Sequence, residues 1–431
     1  MHIAVVGAGI SGLACAFRLQ QAGHQVRVYE RGPTVGGRMA TVDRGGFRID
    51  IGTNILLDNY ERLKALSADV GLGGEWFPFR AGAGGVLRDG QLTSFDPMSI
   101  RDIARYPGLS ALARVRVLLY LLSTWPTRNR LDFFDLSTGD DALDTVDAWT
   151  ATVARCGVEV AEYLVDPFVR TFHFHSARRL SMKYFDALAS LFLTRGGFVT
   201  HGFRGHMRAL PMALAARVPV WLDTPVDRVR RAPGGIELLR RDTSERFDAV
   251  VLAVPAAAAA RLLGTPTPAQ ASVLDSTRYS STVVCSYRVP LDVSGDFEGI
   301  WVPFKESAII CDGANEHCKG STDGKRCVLT VCLHEEAAQA LAGRSDPEVL
   351  EVVAAEWCRL FPRFAHHLTG LHVHRWQAAL PVYGVGHLTR VKRFWQDGQG
   401  RDGVWLCGDW LNQPWVEGSI RCGEKVAEAI T

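Results

Sequence analysis

Three glycines near the start of the chain have the type and spacing needed to bind a dinucleotide. Gly7, Gly9 and Gly12 follow the pattern G-x-G-x-x-G, and Ile10 and Ser11 lie between them. The first glycine permits a tight turn, the second lets backbone N–H groups approach a pyrophosphate, and the third lets a helix pack closely on a strand. A lone glycine pattern also occurs in ordinary turns, so its surroundings decide its meaning.

The elements around these glycines form a βαβ unit. The apolar run Ile3 to Val6 predicts a strand, LACAFRLQQAG predicts a helix ending at Gly23, and QVRVYE predicts a second strand ending at Glu30. The helix N-terminus would stabilise a phosphate. Glu30 can accept hydrogen bonds from both ribose hydroxyls, and its charge disfavours a 2′-phosphate. This context favours dinucleotide binding over a simple glycine turn.

A second glycine cluster separates flavin binding from nicotinamide binding. After Glu30 and Arg31 the chain reads GPTVGGRMAT, so that Gly37 and Arg38 would follow the second strand closely. A guanidinium there can donate a fork of hydrogen bonds to phosphates. The run RIDIGTNI predicts a strand ending at Gly52–Thr53, where glycine would let the backbone lie close to a flat ring. Nicotinamide proteins do not need this second cluster, so the pattern favours a flavin.

The last residues repeat the arrangement of an apolar strand followed by a helix. VWLC stops at Gly408–Asp409, a loop of Trp, Asn, Gln and Pro follows, and EGSIRCGEKVAEAI has a helical pattern. An ordinary strand, loop and helix would show the same sequence pattern. Because this pattern occurs in the same chain as the N-terminal motif, we favour a ligand that both ends of the chain bind.

Taken together, these motifs resemble the FAD-dependent amine oxidase superfamily, which includes monoamine oxidases, protoporphyrinogen oxidases and carotenoid desaturases. GAGISGL, ERGPTVGGRMAT and the terminal GDW with EGS carry the resemblance, which is strongest over residues 1–60, 205–260 and 395–431. It implies a mixed α/β and α+β fold. A Rossmann-like FAD-binding domain of the glutathione-reductase type would comprise 1–60, 205–270 and 395–431. An interleaved substrate domain of mixed sheet and helices would comprise 61–204 and 271–394.

The resemblance also implies roles for single residues. Val226 would lie near the adenine, and Gly408 and Asp409 would approach the ribityl and phosphate chain. Glu417 and Ile420 would begin a final helix whose N-terminus points at the flavin. Tyr383, Trp410 and Trp376 are the aromatic candidates for the ring and the catalytic site, although plain core packing is an alternative for each. FAD would be non-covalent, because LPVYGVGH has no cysteine.

The function that the resemblance implies is hydride removal from a mostly apolar organic substrate, with O2 or another electron acceptor reoxidising the flavin. Amine-oxidising members carry a lysine in the strand that here reads STVVCSYRV, and no lysine occurs in it. This favours a dehydrogenation of the desaturase or protoporphyrinogen-oxidase type. Amine oxidation, a redox-neutral flavoenzyme and a non-enzymatic binding protein like the GDP-dissociation inhibitors remain alternatives.

Composition gives no support for nucleic acid as a partner and leaves contact with a membrane surface as an alternative. A formal net charge of +2 gives no reason to expect nucleic acid, and the ten cysteines contain no CxxC pair, which fits a cytoplasmic protein without a leader. No metal site is expected, because the paired histidines, such as His173 with His175, lack zinc-site neighbours. The amphipathic segment 107–125 is expected to pack as a helix, with peripheral membrane contact as the alternative.

The remaining chain predicts the rest of the substrate domain. Residues 61–200 have a mainly helical pattern, with breaks at FPFRAGAGG and TWPTRNR. Four strand-like runs, STVVCSYRV, GIWVPF, SAIICD and CVLTVCL, precede a helix near 346–360. We expect these strands to form the roof of a substrate cavity and the helices to form its walls.

Overall fold

The computed structural model describes residues 1–79, 84–94, 100–124, 133–134, 141–194, 199–241, 243–295 and 297–431. The strands are β1 (His2–Val6), β2 (Gln25–Tyr29), β3 (Thr41–Arg44), β4 (Phe47–Asp50), β5 (Leu56–Leu57), β6 (Trp76–Pro78), β7 (Gly85–Arg88), β8 (Gln91–Ser94), β9 (Thr200–Phe203), β10 (Val220–Trp221), β11 (Arg228–Ala232), β12 (Gly235–Arg240), β13 (Thr243–Phe247), β14 (Ala249–Leu252), β15 (Arg278–Tyr279), β16 (Thr282–Pro290), β17 (Gly299–Trp301), β18 (Ile310–Asn315), β19 (Arg326–Leu333), β20 (Thr369–Trp376), β21 (Pro381–Val382) and β22 (Val404–Leu406).

The helices are α1 (Ile10–Gln21), α2 (Glu61–Asp69), α3 (Ile100–Arg105), α4 (Ala111–Thr124), α5 (Ala148–Cys156), α6 (Val158–Val160), α7 (Asp166–His173), α8 (Met182–Thr194), α9 (Ala209–Ala215), α10 (Ala256–Leu263), α11 (Pro268–Ser276), α12 (Leu291–Ser294), α13 (Glu335–Ala340), α14 (Asp346–Leu360), α15 (His387–Asp397) and α16 (Trp415–Ile430). Within the described ranges, no helix combines the length and the apolar character that crossing a membrane requires.

A five-stranded parallel sheet joins the two ends of the chain. Its order is β10-β2-β1-β14-β22, and every neighbouring pair is parallel. The central strand β1 is buried from Ile3 to Val6 because both helix α1 and strand β13 of a separate three-stranded sheet contact it, which explains its continuous apolar run. Helices α1 and α16 pack so closely that a Cβ on Gly423 would lie 2.4 Å from the Ser11 carbonyl oxygen. The N-terminal and C-terminal motifs therefore belong to one sheet.

A seven-stranded sheet forms the other half of the molecule. Its order is β20-β16-β19-β18-β17-β7-β8, and only the β17–β7 pair is parallel. One face packs on α14, where Val349, Val353 and Trp357 are fully buried. The four predicted strands and the helix at 346–360 are confirmed, because their apolar runs cover this second core.

Two predictions of secondary structure are wrong in detail. Residues 61–200 contain strands as well as helices, and the hairpin β7–β8 extends the seven-stranded sheet beside β17. The strand expected to reach Gly52–Thr53 ends at Asp50, because the Thr53 N–H donates to the Arg38 carbonyl and draws the chain out of the β3–β4 hairpin. The break at TWPTRNR lies almost wholly outside the described residues. The domain boundaries at 60, 204, 270 and 394 stay a prediction.

Candidate functional site

One large cavity lies between the two sheets. It has a volume of about 1760 Å³, above the roughly 300–1,000 Å³ of ordinary small-molecule pockets. The carboxyl ends of the parallel strands β1, β2, β14 and β22 open into it, and the inner face of the seven-stranded sheet closes the opposite side. Ligands of open parallel sheets bind at this edge. The cavity has room for a dinucleotide and a second molecule.

The first turn of α1 faces the cavity with backbone atoms. Gly9, Ile10 and Ser11 line the wall, and no side chain caps the N-terminus of this helix. A Cβ placed on Gly9 would meet nothing within 4 Å, so this position opens into the cavity, and Gly37 approaches the Gly9 Cα closely. The free N–H groups of a helix start form a site for an anion such as a pyrophosphate. These residues fit the predicted dinucleotide.

The other two glycines of the motif serve packing. Gly7 has a φ of +104°, and a Cβ there would lie 2.5 Å from the Ala253 carbonyl oxygen. Gly12 does not line the cavity, and a Cβ on it would lie 2.1 Å from the Gly7 carbonyl oxygen. Both positions therefore exclude larger residues because of the backbone itself.

Glu30 lies at the cavity edge of β2, and backbone groups hold its carboxylate. The Ala8 and Gly32 N–H groups each donate to it at 2.9 Å. A carboxylate has about four acceptor sites, so two remain for a ligand's hydroxyl groups. Arg31 and Val226 also line the cavity. Their contact with an adenosine stays a prediction.

Arg38 and Asp409 form an ion pair with each other across the cavity wall. The guanidinium donates to Asp409 at 2.8 and 2.9 Å and to the Ala379 carbonyl oxygen at 2.9 Å. Asp409 is only 2 % exposed and also accepts from the Trp410 N–H. The sequence predicted separate contacts of these two side chains with the ligand. Both residues line the cavity, so these contacts stay a prediction, and the ion pair also joins the second glycine loop to the C-terminal loop.

Close backbone contacts continue at the other predicted glycines. A Cβ on Gly52 would lie 2.1 Å from the Arg38 carbonyl oxygen, and one on Gly408 would lie 2.7 Å from Trp410 Nε1. Gly408 has a φ of +151°, which favours glycine. Both glycines and Thr53 line the cavity.

The aromatic candidates separate into two groups. Trp376 and Trp410 line the cavity, and their indole N–H groups donate to the Ile51 and Val254 carbonyl oxygens at 2.6 and 3.3 Å. Tyr383 is fully buried and does not line it. Its ring stacks on Tyr184 at 4.6 Å, and its hydroxyl donates to the Asp409 carbonyl oxygen. Tyr383 thus supports the C-terminal loop from behind, which corrects its expected place beside the ring.

Two residues of the final helix also lie elsewhere than expected. The Glu417 carboxylate accepts from the Arg62 and Leu63 N–H groups at the start of α2 and pairs with Arg421. Ile420 is fully buried in the core. Their side chains do not line the cavity, where Val416 and Ser419 of the same helix do. Glu417 caps a neighbouring helix because its side chain projects from the opposite face of α16.

Comparison with known proteins decides the family. The family described as "Flavin containing amine oxidoreductase" matches residues 10–431. The chain belongs to this family. It is 26% identical over 420 residues to coproporphyrinogen III oxidase of Mycobacterium tuberculosis, covering 89% of this chain and 87% of that protein. It is 51% identical over 57 residues to 4,4'-diapophytoene desaturase of Staphylococcus haemolyticus, covering 13% of this chain and 11% of that protein.

Solved structures share the whole fold. Cyclohexylamine oxidase of Brevibacterium oxydans superposes with a TM-score of 0.78 at 20% identity, covering 100% of this chain and 98% of that chain. The protein is therefore a flavin-dependent oxidoreductase with a Rossmann-like cofactor domain. When bound, a flavin accepts a hydride, and the protein supplies position and electrostatics.

The inner face of the seven-stranded sheet carries a row of six residues that the sequence analysis missed. Strand pairing aligns them in neighbouring strands, and all six line the cavity: His374, Val284, Cys332, Asp312, Trp301 and Val86. The two-residue period of the strands contained this information, since side chains two residues apart share a face. The sequence analysis lacked the pairing register between neighbouring strands, because no single strand reveals it.

Two carboxyl groups lie in this half of the cavity. Asp312 accepts a hydrogen bond from the Cys311 thiol at 3.2 Å, and burial raises its pKa to about 6. Glu298 accepts from the Thr200 hydroxyl at 3.0 Å, and burial raises its pKa to about 7. The nearby Lys319 ammonium is already held by the side chain of Glu316 and by Asn54. Neither Asp312 nor Glu298 therefore has an ion pair of its own among the described residues.

The paired histidines singled out from the sequence belong to the core. His173 and His175 are fully buried, and neither lines the cavity. Burial lowers the pKa of His175 to about 4 and that of His173 well below its usual value, so both are neutral at pH 7. They support the wall by packing, His173 against Trp415, and do not exchange protons with a substrate.

Proposed function

We propose that the protein removes a hydride from a mostly apolar organic substrate, in a dehydrogenation of a C–C or C–N bond, with FAD bound non-covalently. One observation carries the proposal: a single cavity joins the glycine-lined end at α1 to the inner row of the seven-stranded sheet. Val284, Cys332, Trp301 and Val86 make most of this row apolar. An apolar molecule would thus lie beside the cofactor, shielded from water.

Different residues of this chain would bind the cofactor, orient it and exclude water. The α1 N-terminus and Glu30 would hold the dinucleotide, and the loop joined by Arg38 and Asp409 would fix its reactive end. Trp376 and Trp410 would form apolar walls that exclude water. Exclusion of water strengthens the electrostatic interactions inside such a site.

Similarity to named enzymes supports the type of dehydrogenation. By their names, one relative oxidises coproporphyrinogen III and the other desaturates 4,4'-diapophytoene. Strand β16 contains no lysine, so the feature that the amine-oxidising members carry there is missing. Amine oxidation is the second candidate, favoured by the carboxyl groups of Asp312 and Glu298. Either O2 or another acceptor would complete the cycle.

Spectroscopy of the purified protein tests this proposal. We expect a visible flavin absorption band, and denaturation should release the flavin into the supernatant because the cofactor is not covalent. Anaerobic addition of a substrate should bleach the band, and peroxide on readmission of air would identify O2 as the acceptor. A colourless protein that does not bind added FAD would contradict the proposal.

We further propose that α4 rests on an anionic membrane surface. Leu112, Val115, Leu119 and Leu122 recur at helical spacing and are 51–67% exposed. Arg101, Arg105 and Arg116 are also exposed on α3 and α4, and none has an ion pair within the part of the chain that the structure describes. Apolar residues flanked by free arginines complement anionic lipid headgroups.

Flotation with lipid vesicles tests this surface. The protein should float with vesicles rich in phosphatidylglycerol and much less with phosphatidylcholine alone, and salt should weaken the binding. Leu119→Asp should abolish flotation, whereas Met212→Asp should not, since Met212 is similarly exposed on α9. Equal flotation of both variants, or none of the wild type, would contradict the proposal. Size-exclusion chromatography would show whether the exposed apolar residues of α4 instead join two copies of the chain.

A further inference from the structure

A second, smaller cavity lies in the layer of helices beneath α4. It has a volume of about 100 Å³, and none of its lining residues also lines the large cavity. Helices α3, α4, α5, α7 and α8 surround it. Buried apolar side chains form most of its wall, among them Ile103, Val117, Val165, Phe168, Met182 and Phe185. Protein interiors contain few voids larger than a water molecule, so a cavity of this size is unusual unless a ligand fills it.

Water is a poor occupant for this cavity, because its wall offers almost no polar atom. The Tyr120 hydroxyl donates to Asp186, and the Cys156 thiol donates to the Arg116 carbonyl oxygen at 3.9 Å. A buried water needs two to four polar partners, so apolar cavities stay dry and bind apolar molecules instead. Since an apolar cavity of about 150 Å³ holds benzene, this one has room for an alkyl chain of roughly four to six carbon atoms.

The mouth of the small cavity carries a positive charge. Among its lining residues, Tyr120 and Leu121 of α4 and Ala189 of α8 are partly exposed, and Arg155 of α5 is exposed. The Arg155 guanidinium lies over the Tyr120 ring, 5.6 Å from the ring centroid. It forms no ion pair with any residue that the structure describes, so its charge is available to an anionic group at the mouth.

We propose that the small cavity binds a short alkyl carboxylate of about six carbon atoms, with the chain inside and the carboxylate beside Arg155. Each methylene that leaves water favours binding, and the volume of the cavity limits the length of the chain. A guanidinium fork matches a carboxylate in charge and geometry. The site goes beyond the proposed dehydrogenation, because it lies outside the large cavity. An alkyl phosphate has a similar anionic head, and the experiment below distinguishes the two.

A series of straight-chain carboxylates tests the size of the site. Binding of acetate, butanoate, hexanoate and decanoate to the full chain, with FAD added, is measured by calorimetry. We expect hexanoate to bind about tenfold more tightly than butanoate, because each methylene changes the affinity about fourfold. Decanoate should bind no more tightly than hexanoate, since its last carbons find no space. Hexyl phosphate in place of hexanoate shows which anionic head the mouth prefers.

Variants assign the binding to this cavity. Ala189→Leu should weaken hexanoate binding at least about tenfold, because the larger side chain fills the mouth. Ala154→Leu is the matched control and should leave binding unchanged, since Ala154 is exposed on α5 and does not line the cavity. Hexanoate should bind about threefold or more tightly than hexylammonium. Arg155→Gln should remove this preference and keep the dependence on chain length.

Three results would overturn the inference. Affinity that keeps rising from hexanoate to decanoate would place the chain in the large cavity. Hexanoate binding that survives Ala189→Leu, in a variant whose thermal unfolding shows a folded protein, would exclude the small cavity. A preference for hexanoate over hexylammonium that survives Arg155→Gln would show that another group binds the head. If Ala189→Leu does not fold, the chain-length series and Arg155→Gln still decide. A protein without flavin would contradict the proposed function and leave these measurements valid.

Discussion

The cofactor end and the substrate end of the cavity present different kinds of atoms to a ligand. At the cofactor end the wall is mainly backbone, at Gly9, Gly37 and Gly408, and side chains such as Arg38 hold loops together. At the substrate end the wall is a row of side chains on six strands, with Asp312 in its middle. Recognition by backbone fixes the ligand tightly, whereas recognition by side chains can change with single substitutions.

The difference explains why one family can keep its cofactor and change its substrate. At the cofactor end, neighbouring backbone confines Gly7, Gly12 and Gly52, whereas Gly9 opens into the cavity, so substitutions there damage the fold or the site. The residues of the row lie in extended strands and line the cavity with their side chains. We therefore expect variants at the two ends to fail in different ways, and the following predictions compare them in order of expected size.

The largest effects should come from two glycines of one motif. Gly7→Val should destabilise the fold by about 4 kcal/mol, from overpacking against the Ala253 carbonyl and from the positive φ. Gly9→Val should fold normally, since its φ of −70° suits valine and its Cβ position is open, but should lose flavin. Thermal unfolding and the visible spectrum measure both. A Gly9→Val protein that stays fully yellow would contradict the backbone site.

Breaking the ion pair at the cofactor end should have the next largest effect. Arg38→Met should cost about 2–3 kcal/mol of unfolding free energy, because Asp409 would stay buried without its partner, and the 30% exposure of Arg38 reduces the full penalty. Arg208→Met, which removes the surface pair with Asp43, should cost under about 1 kcal/mol. Urea unfolding compares the two. Equal costs would mean that the Arg38 pair is not effectively buried.

At the substrate end, Glu298 should make stability depend on pH. Burial raises its pKa from 4.5 to about 7, so the folded protein binds this proton more tightly than the unfolded chain. This contribution is complete below pH 4.5 and is lost as pH rises through about 7. Between pH 5 and pH 8 it should amount to about 2 kcal/mol, after allowance for partial exposure. Glu298→Gln should remove that difference in urea unfolding, and an unchanged pH profile would contradict it.

Trp376 lies between the cofactor end and the substrate end of the cavity, and its substitution should have the smallest effect. Trp376→Phe would lose the hydrogen bond to the Ile51 carbonyl oxygen, which costs about 1 kcal/mol. Because Trp376 also packs beside Gly52, flavin affinity should fall with stability. Calorimetry with FAD measures this. Lower stability with unchanged affinity would show that the two ends are independent.

The cofactor end was largely predictable because its information is local. The spacing of Gly7, Gly9 and Gly12 specifies one turn, and the structure places that turn at the cavity. The pairing of Arg38 with Asp409 was not predictable, since it joins residues far apart in the chain, and no pattern shows that two charged side chains satisfy each other.

The substrate end was predictable in its elements and not in its site. The strands β16 to β19 were found from their apolar runs, but the position of Asp312 beside Cys332 depends on register across strands. One of the three aromatic candidates, Tyr383, lies away from the cavity for a similar reason. Tyr383 and Trp410 look alike in the sequence, and only tertiary packing places one at the cavity and the other behind it.

The arrangement of β22 and α16 against β1 and α1 has a consequence for biosynthesis. The ribosome makes the first turn of α1 long before the Gly408–Asp409 loop. A nascent chain therefore cannot complete its prosthetic-group pocket until β22 and the loop after it have been made. Premature termination anywhere before β22 would leave a product that cannot mature, however well its earlier parts fold.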